Sequence, residues 1–309
     1  MTRISEVAIV TTAVADLGRA ERFYAGAFGY GVLQRGALPA AIAPSWRMPA
    51  DCHGQYVLLG RAGAQCGLLR LVAFDLPGTQ IWGRYERIQD HGHYALNMRV
   101  PDVHQTWHEL LERGARPKSG PMRWDVDERM VAIDSQCWDP DGTLLDVYTM
   151  EGRPEIFTPL GAAASAIETV AIHVASADRS RDFYYGLGYS LFFDRRIADL
   201  NTFFHLPAGV ALRDVNLVKP ELSYIGRIEI VELEGTEGVR VQSRAAPPNH
   251  GILSITFDTD DCDAAFALAL SLGATPCGVP TDVDWGPAGV QRSGTVYGPD
   301  GELIEFRAA

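Results

Sequence analysis

One stretch of this sequence occurs twice, and it constrains the fold more than any other feature. Residues 138–148 read WDPDGTLLDVY, and residues 297–307 read YGPDGELIEFR, an offset of 159 residues (138 to 297). In each copy a Pro-Asp-Gly turn signal precedes a short apolar strand. Each strand contains one carboxylate, Asp146 or Glu305. The repeat predicts that the chain is one domain written twice.

The same offset recurs along most of the chain. Residues 95–99 correspond to residues 254–258, and the helical pattern of residues 102–115 corresponds to residues 261–274. Both helical patterns are followed by Gly-Ala-x-Pro, which is typical of a helix end. Each copy divides again into a strand, a helix and several strands, which occur twice. The sequence therefore predicts an α+β fold of four βαβββ modules, with an N-terminal domain at residues 1–151, a linker at 152–166 and a C-terminal domain at 167–309.

The composition excludes several classes of function. The 309-residue chain has a formal net charge of −12, and an acidic surface repels nucleic-acid phosphates. No apolar run is long enough to cross a membrane, and the first residues lack the apolar core of a signal peptide. The five cysteines form no Cys-x-x-Cys pair and are expected to be reduced thiols. We therefore expect a cytoplasmic protein with a small-molecule partner, no nucleic-acid partner and no membrane association. The oligomeric state stays open.

The paired modules, the Phe-Tyr helices that end near Gly-Tyr and the Pro-Asp-Gly turn with its acidic strand resemble the vicinal oxygen chelate superfamily. This group includes glyoxalase I, bleomycin-resistance proteins, methylmalonyl-CoA epimerase and type I extradiol dioxygenases. The resemblance implies that paired modules curl into two eight-stranded cup-like sheets, with one cup for each half of the sequence. It also implies four inward strand positions per cup that usually hold iron, manganese, nickel or zinc through His, Gln or Glu.

The resemblance assigns these ligand positions residue by residue. In the first half they are Glu6, Arg70, Ala95 and Asp146, and in the second half they are Thr169, Glu229, Ser254 and Glu305. The usual histidines are absent from both sets. The resemblance therefore implies no standard metal site, and we expect no cofactor. A divalent metal held by His173, Glu229 and Glu305 remains the alternative.

His173 is the sharpest candidate for chemistry, because it follows Thr169 by four residues on one strand and so shares its face. The predicted catalytic residues are His173, Glu305 and Glu229. The predicted substrate-binding residues are Arg70, Ser254, Thr169, Tyr297 and Trp285. Alternatively, Arg70 forms an internal ion-pair network with Glu6 and Asp146. Residues 39–49 and 124–129 are irregular enough to be loops over a cup.

Three functional hypotheses follow. The first is an enzyme of lyase or isomerase type that acts by acid/base chemistry in the C-terminal cup. Its substrate would be a small oxygenated metabolite, and aromatic metabolites are included in this class. The second is a metal-dependent dioxygenase or glyoxalase-like enzyme with a remodelled site. The third is a non-catalytic binding protein of the bleomycin-resistance type. Whether the chain is an enzyme stays open at this point.

Overall fold

The computed structural model describes residues 2–82, 87–152, 160, 164–197, 201–206, 208–219 and 224–308. The first half contains two βαβββ modules. Module 1 consists of β1 (Ile4–Ala13), α1 (Leu17–Phe28), β2 (Gly31–Ala37), α2 (Ala43–Trp46), β3 (Gly54–Gly60) and β4 (Leu68–Phe74). Module 2 consists of β5 (Gly92–Arg99), α3 (Val103–Glu112), β6 (Arg116–Asp127), β7 (Met130–Trp138) and β8 (Leu144–Glu151).

The second half repeats this order. Module 3 consists of β9 (Thr169–Val174), α4 (Ala177–Gly186), β10 (Ser190–Ile197), α5 (Asn201–Phe204), β11 (Ala211–Val218) and β12 (Arg227–Glu234). Module 4 consists of β13 (Gly251–Thr259), α6 (Cys262–Ser271), β14 (Thr275–Asp284), β15 (Val290–Tyr297) and β16 (Leu303–Ala308). The prediction of an α+β fold with four βαβββ modules is confirmed. No helix among the described residues is long and apolar enough to cross a membrane.

The helix that follows the first strand of each module begins at a side-chain cap. Asp16, Asp102, Ser176 and Asp261 each accept a hydrogen bond from the backbone N–H three residues later. Such a cap satisfies one of the donors that the first helical turn leaves unpaired. The apolar faces of these helices join the helix-facing sides of both sheets in one buried core, in which Phe23, Leu96 and Phe257 are members.

The two sheets do not each belong to one half of the sequence. The first sheet has the strand order β14-β15-β16-β13-β1-β4-β3-β2, and the second has the order β10-β11-β12-β9-β5-β8-β7-β6. Modules 1 and 4 therefore form one cup, here called the first cup, and modules 2 and 3 form the second cup. The expectation of one cup per half was wrong. The centres of the sheets are the antiparallel pairs β1–β13 and β5–β9, which join modules from different halves.

The boundaries at residues 151, 152, 166 and 167 stay a prediction, since residues 153–159 and 161–163 of the expected linker lie outside the described residues. The two modules of one half are instead joined by the repeated turn. Asp141 accepts hydrogen bonds from the Ala15 amide at 2.9 Å and from Arg19, at the start of α1. Asp300 accepts from the Ala175 amide at 3.0 Å, from Arg179 at 2.7 Å and from Ser180 at 2.8 Å, at the start of α4.

Candidate functional site

A buried ion pair occupies the interior of the first cup. The Arg70 guanidinium on β4 lies 3.3 Å from the Glu305 carboxylate on β16, and both side chains are at most 3% exposed. Glu305 also accepts hydrogen bonds from Thr256 and Ser293, each at 2.7 Å. Burial would raise the pKa of Glu305, but Arg70 and these hydroxyl donors bring it below its ordinary value. This carboxylate is paired and satisfied within the protein.

Aromatic side chains cover the ion pair. Trp46, on α2, is 1% exposed. The Arg70 guanidinium lies 4.5 Å from the Trp285 ring centroid and 5.8 Å from that of Trp46. Tyr56 packs edge-on against Trp285, with ring centroids 5.2 Å apart. The first cup is therefore filled by its own side chains, and residues 39–49 lie over it as expected.

The structure separates residues that the sequence analysis placed together. Glu305, Arg70, Ser254 and Tyr297 lie on strands of the first sheet, and Trp285 directly follows its strand β14. His173, Glu229 and Thr169 lie on strands of the second sheet. The predicted set of His173, Glu229 and Glu305 does not converge, either for catalysis or around a metal, because modules 3 and 4 contribute to different cups.

Two further expectations for the first half were wrong. Arg70 pairs with Glu305 across the first cup, while Asp146 lies in the second cup, so the network of Arg70, Glu6 and Asp146 does not form. Residues 124–127 belong to β6 and not to a covering loop, and Trp124 lines the second cup.

The second cup contains a cavity that opens to solvent. Six aromatic side chains lie on its walls: Tyr94, Trp124, Tyr148, Phe193, Phe204 and Tyr224. Four carboxylates also line it: Asp134, Asp146, Asp214 and Glu229. Arg227 is the only Lys or Arg side chain among the described lining residues. An apolar cavity with a few convergent polar groups is the usual form of a small-molecule site.

Sequence reasoning missed several polar residues of this cavity, namely Asn97, Asp134, Gln136, Asp214, Asn216 and Arg227. A signal was present, because Asp134 and Gln136 alternate on β7, and Asp214 and Asn216 alternate on β11. Alternate residues on a strand share one face. Polar pairs at this spacing in otherwise apolar strands indicate a polar patch inside a cup.

Each carboxylate of the second cup has a neutral hydrogen-bond donor. Gln136 donates to Asp146 at 2.8 Å, and Asn216 donates to Asp214 at 3.1 Å. Asn97 donates to Glu229. The Trp124 indole N–H donates to Asp134. Neutral donors stabilise an ionised carboxylate less than a paired cation does.

These carboxylates therefore hold protons more tightly than usual. Burial, followed by the Glu229 charge acting against the Trp124 hydrogen bond, raises the pKa of Asp134 to about 7. Burial together with neighbouring carboxylates raises the pKa of Asp146 and of Asp214 well above the ordinary range. Burial also raises the pKa of Glu229, although Arg227 and Asn97 oppose the shift. Like charges confined in one cavity favour retention of a proton.

Four buried polar atoms in this cavity have no partner within the described protein. They are Asn97 Oδ1, Gln136 Oε1, Asp146 Oδ1 and Thr169 Oγ1. Gln136 is 2% exposed, Thr169 1% and Asn97 9%. Buried polar groups are costly unless they find a partner, so these atoms mark where a polar ligand group would lie.

His173 forms part of the cavity wall. Its Nδ1 lies 2.6 Å from the Ile88 carbonyl, and its ring stacks on Tyr94 with centroids 3.8 Å apart. A carbonyl can only accept, so Nδ1 carries the proton and Nε2 of the neutral ring is an acceptor. Burial lowers the pKa of His173 to about 3, which keeps the imidazole neutral at ordinary pH.

The residues of the second cup do not fit a transition metal of the kind that the resemblance implies. On the two central strands, Ala95 and Thr169 stand where the resemblance implies histidine. The strand neighbours of Asp146 and Glu229 are Asn97 and Ala171, which provide no imidazole either. The one imidazole of the wall, His173, has its Nδ1 bound to a carbonyl. Among the residues described, no three His, Cys, Asp or Glu side chains are arranged to hold a metal. A donor set without converging imidazoles is poorly suited to iron, nickel or zinc.

Comparison with known proteins agrees with this architecture. Glyoxalase I from Zea mays superposes with a TM-score of 0.64 at 13% identity, covering 100% of this chain and 92% of the maize chain. A point mutant of the same maize enzyme superposes with a TM-score of 0.68 at 15% identity and the same coverage. At such identities the likeness concerns the fold alone. No protein of curated function matches the sequence significantly.

A family profile matches most of the chain in two segments. The segments are residues 6–147 and 166–306, which correspond to the two halves of the repeat. In the structure each segment supplies two of the four modules that form the two eight-stranded sheets. The chain belongs to the Glyoxalase/Bleomycin resistance protein/Dioxygenase superfamily.

Proposed function

We propose that the chain is an enzyme that binds a small organic molecule in the second cup and acts on it by proton transfer, as a lyase or isomerase does, without a metal. The observation that carries this proposal is the group of buried carboxylates with raised pKa values in an aromatic-walled cavity. General acid/base catalysis is most efficient when the pKa of the catalytic group lies near the working pH. Buried acids whose pKa values move toward neutrality are typical of such sites.

The arrangement suggests roles for individual residues. Asn97 donates to Glu229 and lies beside Asp146 on the neighbouring strand, so the two acids flank one amide. Glu229 pairs with Ala171 on the neighbouring strand, and His173 follows Ala171 by two residues on the same face. Strand geometry therefore places the Cα atoms of Glu229 and His173 roughly 8 Å apart. A molecule between them would meet acids on one side and a neutral imidazole acceptor on the other. Glu229 and Asp146 are better suited than His173 to carry a proton, because their pKa values are raised, whereas the pKa of His173 is lowered to about 3.

This proposal changes the first sequence hypothesis in its location and residues. Glu305 has a cation and two hydroxyl donors as partners, and no proton-transfer role is assigned to it. A protein that sequesters a neutral compound would need the aromatic walls, but it would gain nothing from several buried acids, whose burial costs stability. The acids therefore favour catalysis over simple binding of a neutral compound.

Transfer of solvent deuterium tests the proposal. Compounds with an aromatic or alicyclic body and a carbonyl group would first be selected by thermal shift, and then incubated with the protein in D₂O and followed by NMR. We expect deuterium to enter a C–H position of a bound compound. Glu229→Gln and Asp146→Asn should slow this exchange by about 10²- to 10⁴-fold, the usual contribution of one acid/base group, while ligand affinity changes only a few-fold.

Thr256→Val in the first cup is the matched control, since Thr256 lies beside Glu305 as Asn97 lies beside Asp146. It should exchange deuterium at the wild-type rate. Recovery of every bound compound unchanged, without deuterium, would contradict the proposal and indicate a binding protein.

A further inference from the structure

We infer that the second cup recognises an organic cation, in which an aromatic or alicyclic body carries a protonated amine that binds to the carboxylates and unpaired acceptors of the cavity. The inference uses the same cavity as the proposed function, but it concerns recognition and holds whether or not chemistry follows. Nothing in the first cup takes part. Three features of the cavity support it independently.

The first feature is the hydrogen-bonding character of the unpaired atoms. The amide nitrogens of Asn97 and Gln136 already donate to carboxylates, so the unpaired atoms, Asn97 Oδ1 and Gln136 Oε1, are the amide oxygens. An amide oxygen can only accept a hydrogen bond. Asp146 Oδ1 is a carboxylate oxygen that also lacks a partner. The ligand must therefore present hydrogen-bond donors. An ammonium group provides three donors and no acceptor.

The second feature is the imbalance of charge. The lining residues carry four carboxylates against one guanidinium. Lys118, which donates to the Tyr94 hydroxyl, adds one more positive charge near Asp146, so the acids still outnumber the cations. Arg227 donates to the Tyr224 carbonyl at 3.0 Å and to Asn216, and it lies 3.6 Å from the Tyr224 ring centroid. It is thus held at one side of the cavity and makes no hydrogen bond to a carboxylate among the contacts described. A ligand cation would supply the charge that these acids lack and replace the protons they hold.

The third feature is the wall above the acids. Trp124 and Phe204 give the cavity apolar ring surfaces, and the Trp124 indole is fixed by its bond to Asp134. Aromatic faces attract cations and also bury an apolar body. The cavity therefore combines the two surfaces that an aromatic or alicyclic amine requires.

Three probes with one common body test the inference: 2-phenylethylamine, 2-phenylethanol and phenylacetate. Isothermal titration calorimetry and the fluorescence of the tryptophans report binding. We expect the amine to bind at least tenfold more tightly than the alcohol, and the carboxylate to bind more weakly than either. In buffers of different ionisation enthalpy, the amine should release about one proton at pH 7, because a bound cation lowers the pKa of a neighbouring acid.

Two variants assign the effect to the cavity. Asp146→Asn should reduce the preference for the amine over the alcohol to less than threefold and decrease the proton release. Thr169→Val removes an unpaired hydroxyl of the cavity and should weaken amine binding several-fold. The matched control is Thr12→Val, which removes a buried, unpaired hydroxyl from the first sheet and should leave binding unchanged.

Equal affinities of the amine and the alcohol, without proton release, would overturn the inference and indicate a neutral polyhydroxy ligand. Preferential binding of phenylacetate would also overturn it. Amine binding without deuterium exchange in any bound compound would leave the inference intact and contradict only the proposed enzymatic function. Deuterium exchange in a neutral compound, combined with no binding of the amine, would support the proposed enzymatic function and contradict the inference of cation recognition.

Discussion

The two cups have the same fold and equivalent carboxylates, yet they treat those carboxylates in opposite ways. Glu305 and Asp146 occupy corresponding places on β16 and β8. Glu305 has Arg70 and two hydroxyl donors, and its pKa lies below the ordinary value. Asp146 has Gln136 as its donor and other acids nearby, and its pKa is raised well above that range. The partners, and not the place on the strand, decide whether the acid is a structural ion or a proton carrier.

The segments above the cups differ in the same sense. Between β2 and β3, α2 places Trp46 deep inside the first cup. Between β10 and β11, the described part of the connection contains α5, whose Phe204 is half-buried and lines the second cavity. One connection fills its cup and the other forms a wall. The comparison therefore assigns a stabilising role to the first cup and a binding role to the second.

Removal of the cation from the first cup should have the largest effect. Arg70→Met leaves Glu305 buried without its partner and should lower the free energy of unfolding by about 4 kcal/mol. The double variant Arg70→Met with Glu305→Gln should recover at least half of this loss. Asp146→Asn in the second cup should not lower the free energy of unfolding at pH 7, because it leaves no cation unpaired and removes a buried acid whose raised pKa disfavours the folded state at that pH. Urea unfolding at pH 7 measures all three, and equal losses in Arg70→Met and Asp146→Asn would remove the distinction between the cups.

Opening the first cup should have the next largest effect. Trp46→Ala should cost about 3 kcal/mol through lost packing, since the indole N–H has no hydrogen-bond partner to lose. Because apolar cavities of this kind bind small apolar molecules, indole should raise the melting temperature of the variant. Phe204→Ala in the second cup is the comparison and should cost about 1 kcal/mol, as the side chain is only half-buried. A Trp46→Ala protein as stable as the wild type, without a response to indole, would mean that the tryptophan does not fill the first cup.

The acids of the second cup should give a smaller, pH-dependent effect. The pKa of Asp134 is raised from 3.8 to about 7, so the folded protein binds more protons than the unfolded chain between these values. The contribution of Asp134 to stability is thus present at low pH and is lost as the pH rises through about 7. The free energy of unfolding of Asp134→Asn, measured relative to that of the wild type, should therefore increase by about 2 kcal/mol when the pH is raised from 5 to 8. Unfolding by urea at both pH values measures this, with exposed Glu128→Gln as control, and a difference that does not change with pH would contradict the raised pKa.

The fold could be predicted from the sequence to a large extent. Both helical patterns that end in Gly-Ala-x-Pro form helices, α3 and α6, and the acidic residue before each is its N-cap. The repeated turn precedes β8 and β16 as the pattern indicates. Local signals of this kind depend on caps, turns and alternation, which act within a few residues.

The pairing of the modules could not be predicted, because the first strand of every module has a similar sequence pattern and could pair with the first strand of any other module. The strands β1, β5, β9 and β13 have similar patterns, so nothing local distinguishes β5–β9 from β1–β5 as the centre of a cup. The polar groups of the site were missed for a related reason. The ligand positions of the family lie on the first and last strands of each module and include Glu305. Asp134 and Asp214 lie on β7 and β11, which are neither first nor last strands, so the family pattern does not point to them.

The crossed pairing of the modules has a consequence for how the chain holds together. Modules 1 and 2 are joined through Asp141, modules 3 and 4 through Asp300, and the sheets join module 2 to module 3 and module 4 to module 1. The four modules form a closed ring of contacts, and further contacts cross it, such as the hydrogen bond from the Val7 amide of module 1 to the Gly226 carbonyl just before β12 of module 3. A cut between the halves would split both sheets at their central strands and expose four hydrogen-bonding edges. Each half alone would therefore leave its two central strands unpaired along one edge, and we expect it to be less stable than within the whole chain.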